Sequence, residues 1–91
     1  MKVKFANEYT IDADFVIESM DNSRKIPMVS IKASKELPIE ETYASIKDNL
    51  GHIEVTDESG SVKIIEGYTS LISLQNVFAD KAMEASICLM K

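Results

Sequence analysis

Two segments near the start of the chain alternate between apolar and polar side chains, and this period of two constrains the fold more than any other feature. In "KVKFA", Val3 and Phe5 fall on one side and Lys2 and Lys4 on the other. In "YTIDADFVIES", Ile11, Ala13, Phe15 and Ile17 face one way and Asp12, Asp14 and Glu18 the other. Successive side chains of a strand point to opposite faces, so this pattern predicts half-buried strands. Charge helps to choose their pairing. Setting Lys4 against Asp12 and Lys2 against Asp14 also sets Phe5 against Ile11 and Val3 against Ala13, with the chain turning near Asn7-Glu8-Tyr9. A slip of one residue would place lysines against apolar partners.

Beyond the turn formers "DNSRK", the segment "IPMVSIKA" reads as another strand. Pro27 has no amide hydrogen to give to a ladder and belongs at the strand's start or on an exposed edge. The period then changes. In "LPIEETYASIKDNLG", Ile39, Tyr43, Ile46 and Leu50 recur at spacings of four, three and four, one stripe of a helix. Pro38 suits the first turn, Glu40 and Glu41 suit the positive end of the helix dipole, Lys47 the negative end, and Gly51 a left-handed C-terminal residue.

"HIEVTDESGSVKIIEG" predicts a hairpin with Val55 opposite Val62, Glu54 opposite Lys63 and Ile53 opposite Ile64, turning through Asp57-Glu58-Ser59-Gly60. Asp at the first position and Gly at the fourth suit a type I turn. Gly67-Tyr68 interrupts the alternation, as at a bulge or a bend within one long strand of a curved sheet. "TSLISLQNVF" resumes as strand, residues 79–81 form a connection, and "AMEASICLM" closes the chain with Met83, Ala85, Ile87 and Leu89 on one face. The expected class is α+β and β-rich: about six mainly antiparallel strands in a curved sheet or small sandwich, with one helix over about 38–49. At 91 residues the expectation is a single domain over 1–91.

The residue types exclude most chemistries. Cys88 stands alone, so no disulfide framework or cysteine-based zinc site can form, and a small packing role is expected of it. His52 has no neighbouring ligands at metal spacing and reads as an ordinary strand histidine. Asp12, Asp14 and Glu18 form an acidic stripe with Lys2 and Lys4 as ready counter-charges, which reads as a solvated face. Asp57 and Glu58 lack the ligand series of a calcium loop and read as turn chemistry. No phosphate-binding glycine loop or nucleophile elbow occurs. No enzymatic activity, cofactor or metal is expected. The net charge of −5 disfavours nucleic acid and anionic membrane. No apolar run reaches the roughly 20 residues of a membrane span, so a soluble, cytoplasmic chain is expected.

What remains is surface. Val16, Ile65, Cys88 and Met90 fall out of phase with the expected core residues of their strands, and Tyr68 and Phe78 lie near breaks in regularity. Val16, Ile65, Tyr68, Phe78 and Met90 are therefore the candidate interface, because a single helix can cover only one sheet face.

The order of features adds a setting. "KFANEYTIDADFVI", "RKIPMVSIKA", "PIEETYASI", "LGHIEVTDESGSVKIIEGYTSL" and "SICLMK" together resemble small proteins encoded among the tail and baseplate genes of phages and prophages of Gram-positive bacteria. The most distinctive pieces are Phe5-Ala6-Asn7, the "LGHIEVTDESG" hairpin and Gly67-Tyr68-Thr69. The resemblance implies a non-enzymatic virion or assembly component, a ring or a plug between larger proteins, located in the virion. The expected function is a structural or interaction module that associates with copies of itself or a protein partner through a sheet face or edge. The alternative is a small acidic regulator that blocks a basic groove of its partner.

Overall fold

The first strand pair turns more tightly than its charges suggest. In the computed structural model, which describes residues 1–79 and 82–91, β1 (Lys2–Lys4) pairs antiparallel with β2 (Thr10–Asp12). Lys2 lies opposite Asp12, Val3 opposite Ile11 and Lys4 opposite Thr10. The expected pairing is thus displaced by two residues. The Phe5 amide donates to the Tyr9 carbonyl at 2.9 Å and the Glu8 amide to the Phe5 carbonyl at 2.9 Å, closing a three-residue loop with Glu8 left-handed at φ 70°. Such loops join a type I turn to one left-handed residue. A shift of two preserves the faces, so Val3, Phe5 and Ile11 still point into the core.

The second alternating segment is not one strand. It breaks at Ala13-Asp14, where β2 ends and β3 (Phe15–Asp21) begins in a different sheet. Asp14 pins the corner: its amide donates to the Lys32 carbonyl at 2.8 Å, and its carboxylate accepts from the Ser34 amide at 2.6 Å and from the Ser34 hydroxyl. Across this corner the phase inverts. Ile11 and Ala13 are buried, whereas Phe15 and Ile17 are exposed and Val16 packs against the core.

β4 (Ile26–Ala33) follows, with Pro27 at its start as expected, and then α1 (Ile39–Ile46). Thr42 and Ile46 are the buried residues of α1, and Leu50 is buried beyond its end, whereas Tyr43 is exposed. The inward stripe therefore runs through Thr42 in place of Tyr43. The Thr42 hydroxyl lies 3.1 Å from that of Tyr9, a hydrogen bond that satisfies a buried polar group. The helix is shorter than expected. Pro38 precedes it as its N-cap, and Gly51 does not take a left-handed conformation. Instead the side-chain amides of Asn7 and Asn49 both donate to the Ser45 carbonyl at 2.9 Å, and the Asn49 amide donates to the Ile46 carbonyl at 2.9 Å. These bonds satisfy terminal carbonyls that the helix itself leaves free.

β5 (His52–Thr56) and β6 (Val62–Glu66) form the expected hairpin one residue out of the expected pairing. Ile53 faces Ile65, Glu54 faces Ile64 and Val55 faces Lys63. The Gly60 amide donates to the Asp57 carbonyl and the Asp57 amide to the Ser61 carbonyl, each at 3.0 Å, with Gly60 at φ +90°. The type I turn is present, but its left-handed glycine adds a third loop residue and shifts the return strand by one. Every side chain of β6 consequently changes face: Ile65 is 4% exposed, and Ile64 points out.

Gly67-Tyr68-Thr69 is likewise a crossing between sheets and not a bend within one. It carries the chain from β6 to β7 (Ser70–Ala79), which pairs with β8 (Ala82–Met90). Gly67 has φ +88° and its amide donates to the Gly51 carbonyl at 3.1 Å. Of the connection expected at 79–81, Ala79 is the last residue of β7, and residues 80–81 lie outside the described residues. Ala85, Ile87 and Leu89 of β8 are buried as expected.

Among the described residues the fold is β-rich, with eight strands where about six were expected, in two antiparallel sheets ordered β2-β1-β5-β6 and β3-β4-β8-β7. One core joins them: Val3, Phe5, Ile11, Ile53 and Ile65 from the first sheet, Val29, Ile31, Ile87 and Leu89 from the second, and Ile46 and Leu50 from the helical connection.

Candidate interaction surface

The two outer faces differ in chemistry. On the first sheet the outward residues of β1, β2 and β5 include two charge pairs, Lys2 with Asp12 and Lys4 with Glu54 at 2.9 Å, with the His52 ring 3.9 Å from the Glu66 carboxylate, while the edge strand β6 adds exposed Val62 and Ile64. The Lys4 ammonium bonds and attracts the Glu54 carboxylate and holds it below the usual carboxylate range; Lys2 does the same for Asp12. Paired charges leave little unspent field on this face.

On the second sheet the outward rows follow from strand pairing. One row runs Phe15, Lys32, Ser86, Gln75, and the next Ile17, Ser30, Cys88, Ser73; Met28 and Met90 pair in a third. Small serines line the middle, while Phe15 and Ile17 stand on the edge strand β3, 62% and 51% exposed. Ile72 and Val77 are exposed on the opposite edge strand, β7. Across this face Lys32 pairs with Glu84 at 3.3 Å.

The four sheet edges are unequal. β2 is three residues long, β7 is interrupted by a bulge between Leu71 and Ser73, and β6 has five residues, with Lys63 on its core-side face paired to Glu18 on that of β3. Short strands, bulges and inward charges are the usual devices that stop edges from pairing with other chains. β3 has seven residues, and among the described residues no backbone group bonds to its outer side between Phe15 and Met20. Its charge over that span, Glu18, is held in an ion pair by Lys63. Beneath that pair lies a cleft of ≈ 230 Å³ between β3 and β6, floored by Val16, Val55 and Ile65.

The five sequence-derived candidates separate accordingly. Val16 and Ile65 come together, but on the core side, where they line this cleft and do not form an outer face. Tyr68 is buried, with the Lys91 ammonium 5.4 Å from its ring centre; burial, with a smaller contribution from Glu18, raises its hydroxyl pKa. Phe78, near the end of β7, is 68% exposed, and Met90 lies half-buried on the outer face of the second sheet. Phe15 and Ile17 are the surface residues that sequence reasoning missed. Their alternation with Ile11 and Ala13 assigned them to the core, and no local signal marks the sheet switch at Asp14.

The acidic positions are likewise occupied. Asp12 pairs with Lys2, Glu18 with Lys63, and Asp14 with Ser34, whose side-chain and backbone hydrogen bonds hold the carboxyl below its usual range. At the hairpin tip the Asp57 carboxylate accepts from the Ser59 hydroxyl at 2.6 Å, the Ser59 amide at 2.9 Å and the Ser61 amide at 3.0 Å. These bonds lower the Asp57 pKa, and they are turn chemistry. Among the described residues no three His, Cys, Asp or Glu side chains converge on one point, and no helix is long and apolar enough to cross a membrane. Comparison with protein-family models, with curated proteins and with solved structures gives no match.

Proposed function

We propose that the protein is a non-enzymatic structural or interaction module that works by adding its second sheet to another protein surface. The observation that carries this reading is β3, a seven-residue free edge on which Phe15 and Ile17 stand exposed. Burying such residues returns roughly 25 cal/mol per Å² of apolar surface. The layout resemblance to small phage tail and baseplate proteins supplies the setting, assembly of a virion. The alternative, an acidic regulator imitating a phosphate backbone, gains less support. Its stripe is divided between two sheets and its carboxylates are already engaged by Lys2, Lys63 and Ser34.

The test is the solution mass of the pure protein over a concentration series, compared with the double variant Phe15→Lys, Ile17→Lys. The expected outcome is concentration-dependent assembly of the native chain, and a variant that keeps its far-ultraviolet circular dichroism but stays monomeric. A native chain that is monomeric at every concentration, or a variant that assembles equally well, overturns association through this surface.

A further inference from the structure

We infer that the occupant of the β3 edge is the β3 edge of a second copy, paired antiparallel about a twofold axis at Ile17. This rests on the association reading above and adds to it a partner and a register. A twofold axis perpendicular to the sheet keeps outer faces together, and it sets residue i against the partner's residue equally far beyond the axis. Three central positions can be compared. Centred on Glu18, the pairing sets two glutamates directly opposite each other, and centred on Val16 it sets Asp14 against Glu18. Both arrangements are destabilising in a cross-strand pair.

Centred on Ile17, Ile17 meets its own copy, Phe15 meets Ser19 and Val16 meets Glu18. No like charges are opposed. The outer face then gathers two Phe15 and two Ile17 side chains into one diagonal cluster across the junction. Glu18, now beside Val16, keeps the Lys63 ion pair it already has. The two four-stranded sheets would become one of eight strands, with the free amides and carbonyls of β3 paired and the exposed apolar side chains covered. Two of the other three edges oppose the same use, through shortness in β2 and the bulge in β7; β6, at five residues, is shorter than β3 and like it carries a core-side charge.

The experiment is site-specific crosslinking in a Cys88→Ser background, which removes the native thiol two strands away from Ile17. At the axis, the Cα atoms of the two copies lie about 4.5–5.5 Å apart, within disulfide reach. Residue 19 and its copy lie about 14 Å apart, four strand steps along, and are out of reach. Under mild oxidation Ile17→Cys should convert mainly to a covalent dimer and Ser19→Cys should remain monomeric. A dimer seen by light scattering without the Ile17→Cys crosslink overturns the β3 pairing and leaves association through another surface. Equal crosslinking of both variants means random collision and overturns it as well. A strict monomer at all concentrations removes both the pairing and the association reading.

Discussion

Left-handed residues set the geometry of the β1–β2 and β5–β6 hairpins, and they are unequal in cost. Gly60 at φ +90° has no side chain to clash, and a Cβ added there would meet nothing within 4 Å. Glu8 at φ 70° holds the equivalent position in the first hairpin with a full side chain. An L-residue in this region costs roughly 1–2 kcal/mol. Gly60→Ala should therefore lower stability by about that amount through conformation alone. Glu8→Gly should raise it by less than about 1 kcal/mol, because the added freedom of the unfolded chain offsets part of the relief. Urea denaturation of the two variants checks both signs. At this scale the sequence was legible for Gly60, whose residue type suits its conformation. It was not legible for Glu8, where ladder bonds on either side impose what the residue itself disfavours.

Elements inherit these local choices. Because Gly60 inserts one loop residue, β6 returns with Ile65 inward and Ile64 outward, opposite to what matched charges suggest. The Glu54–Lys63 pair that would have fixed the other register is replaced by Lys4–Glu54 and Lys63–Glu18, each made with a strand remote in sequence. Ile65→Ala should thus cost about 2–5 kcal/mol, as for a core cavity, and Ile64→Ala should change stability by less than about 0.5 kcal/mol. Equal losses from the two would refute the register. The helix shows the same division. Its position was readable from the period of its apolar residues, but its length and inward face were not. Asn7, in a hairpin loop 38 residues away, helps to cap Ser45, and Tyr9 supplies the partner that lets Thr42 be buried.

For the whole molecule, surface carboxylates tie the two sheets and their turns to pH. Asp14, Asp21 and Asp57 are held below their usual range mainly by serine hydroxyls and amides, and Asp12 and Glu54 by lysines. A carboxyl whose folded pKa is depressed contributes stability that is complete above its unfolded value. That contribution is lost as the pH falls through the folded one. The urea midpoint should therefore drop as the pH falls below about 4. Asp14→Asn should lower the midpoint at neutral pH and flatten its acid slope; an unchanged slope would show that the Ser34 bonds contribute nothing. What the sequence determined alone is the content that short-range physics controls: β-rich character, the hairpin turn at Asp57–Gly60, the strand at 26–33 and the existence of one helix. Period and turn chemistry act over a few residues and are visible within them. What only the tertiary structure decided is which face each strand buries beyond the corners at Ala13-Asp14 and Gly67-Tyr68-Thr69. There Phe15 and Ile17 move to the surface and Val16 and Tyr68 to the core side. An alternating strand has two chemically plausible faces wherever both carry apolar residues. The choice between them is made by the sheet that lies across the core, and that sheet is built from residues far away in the chain.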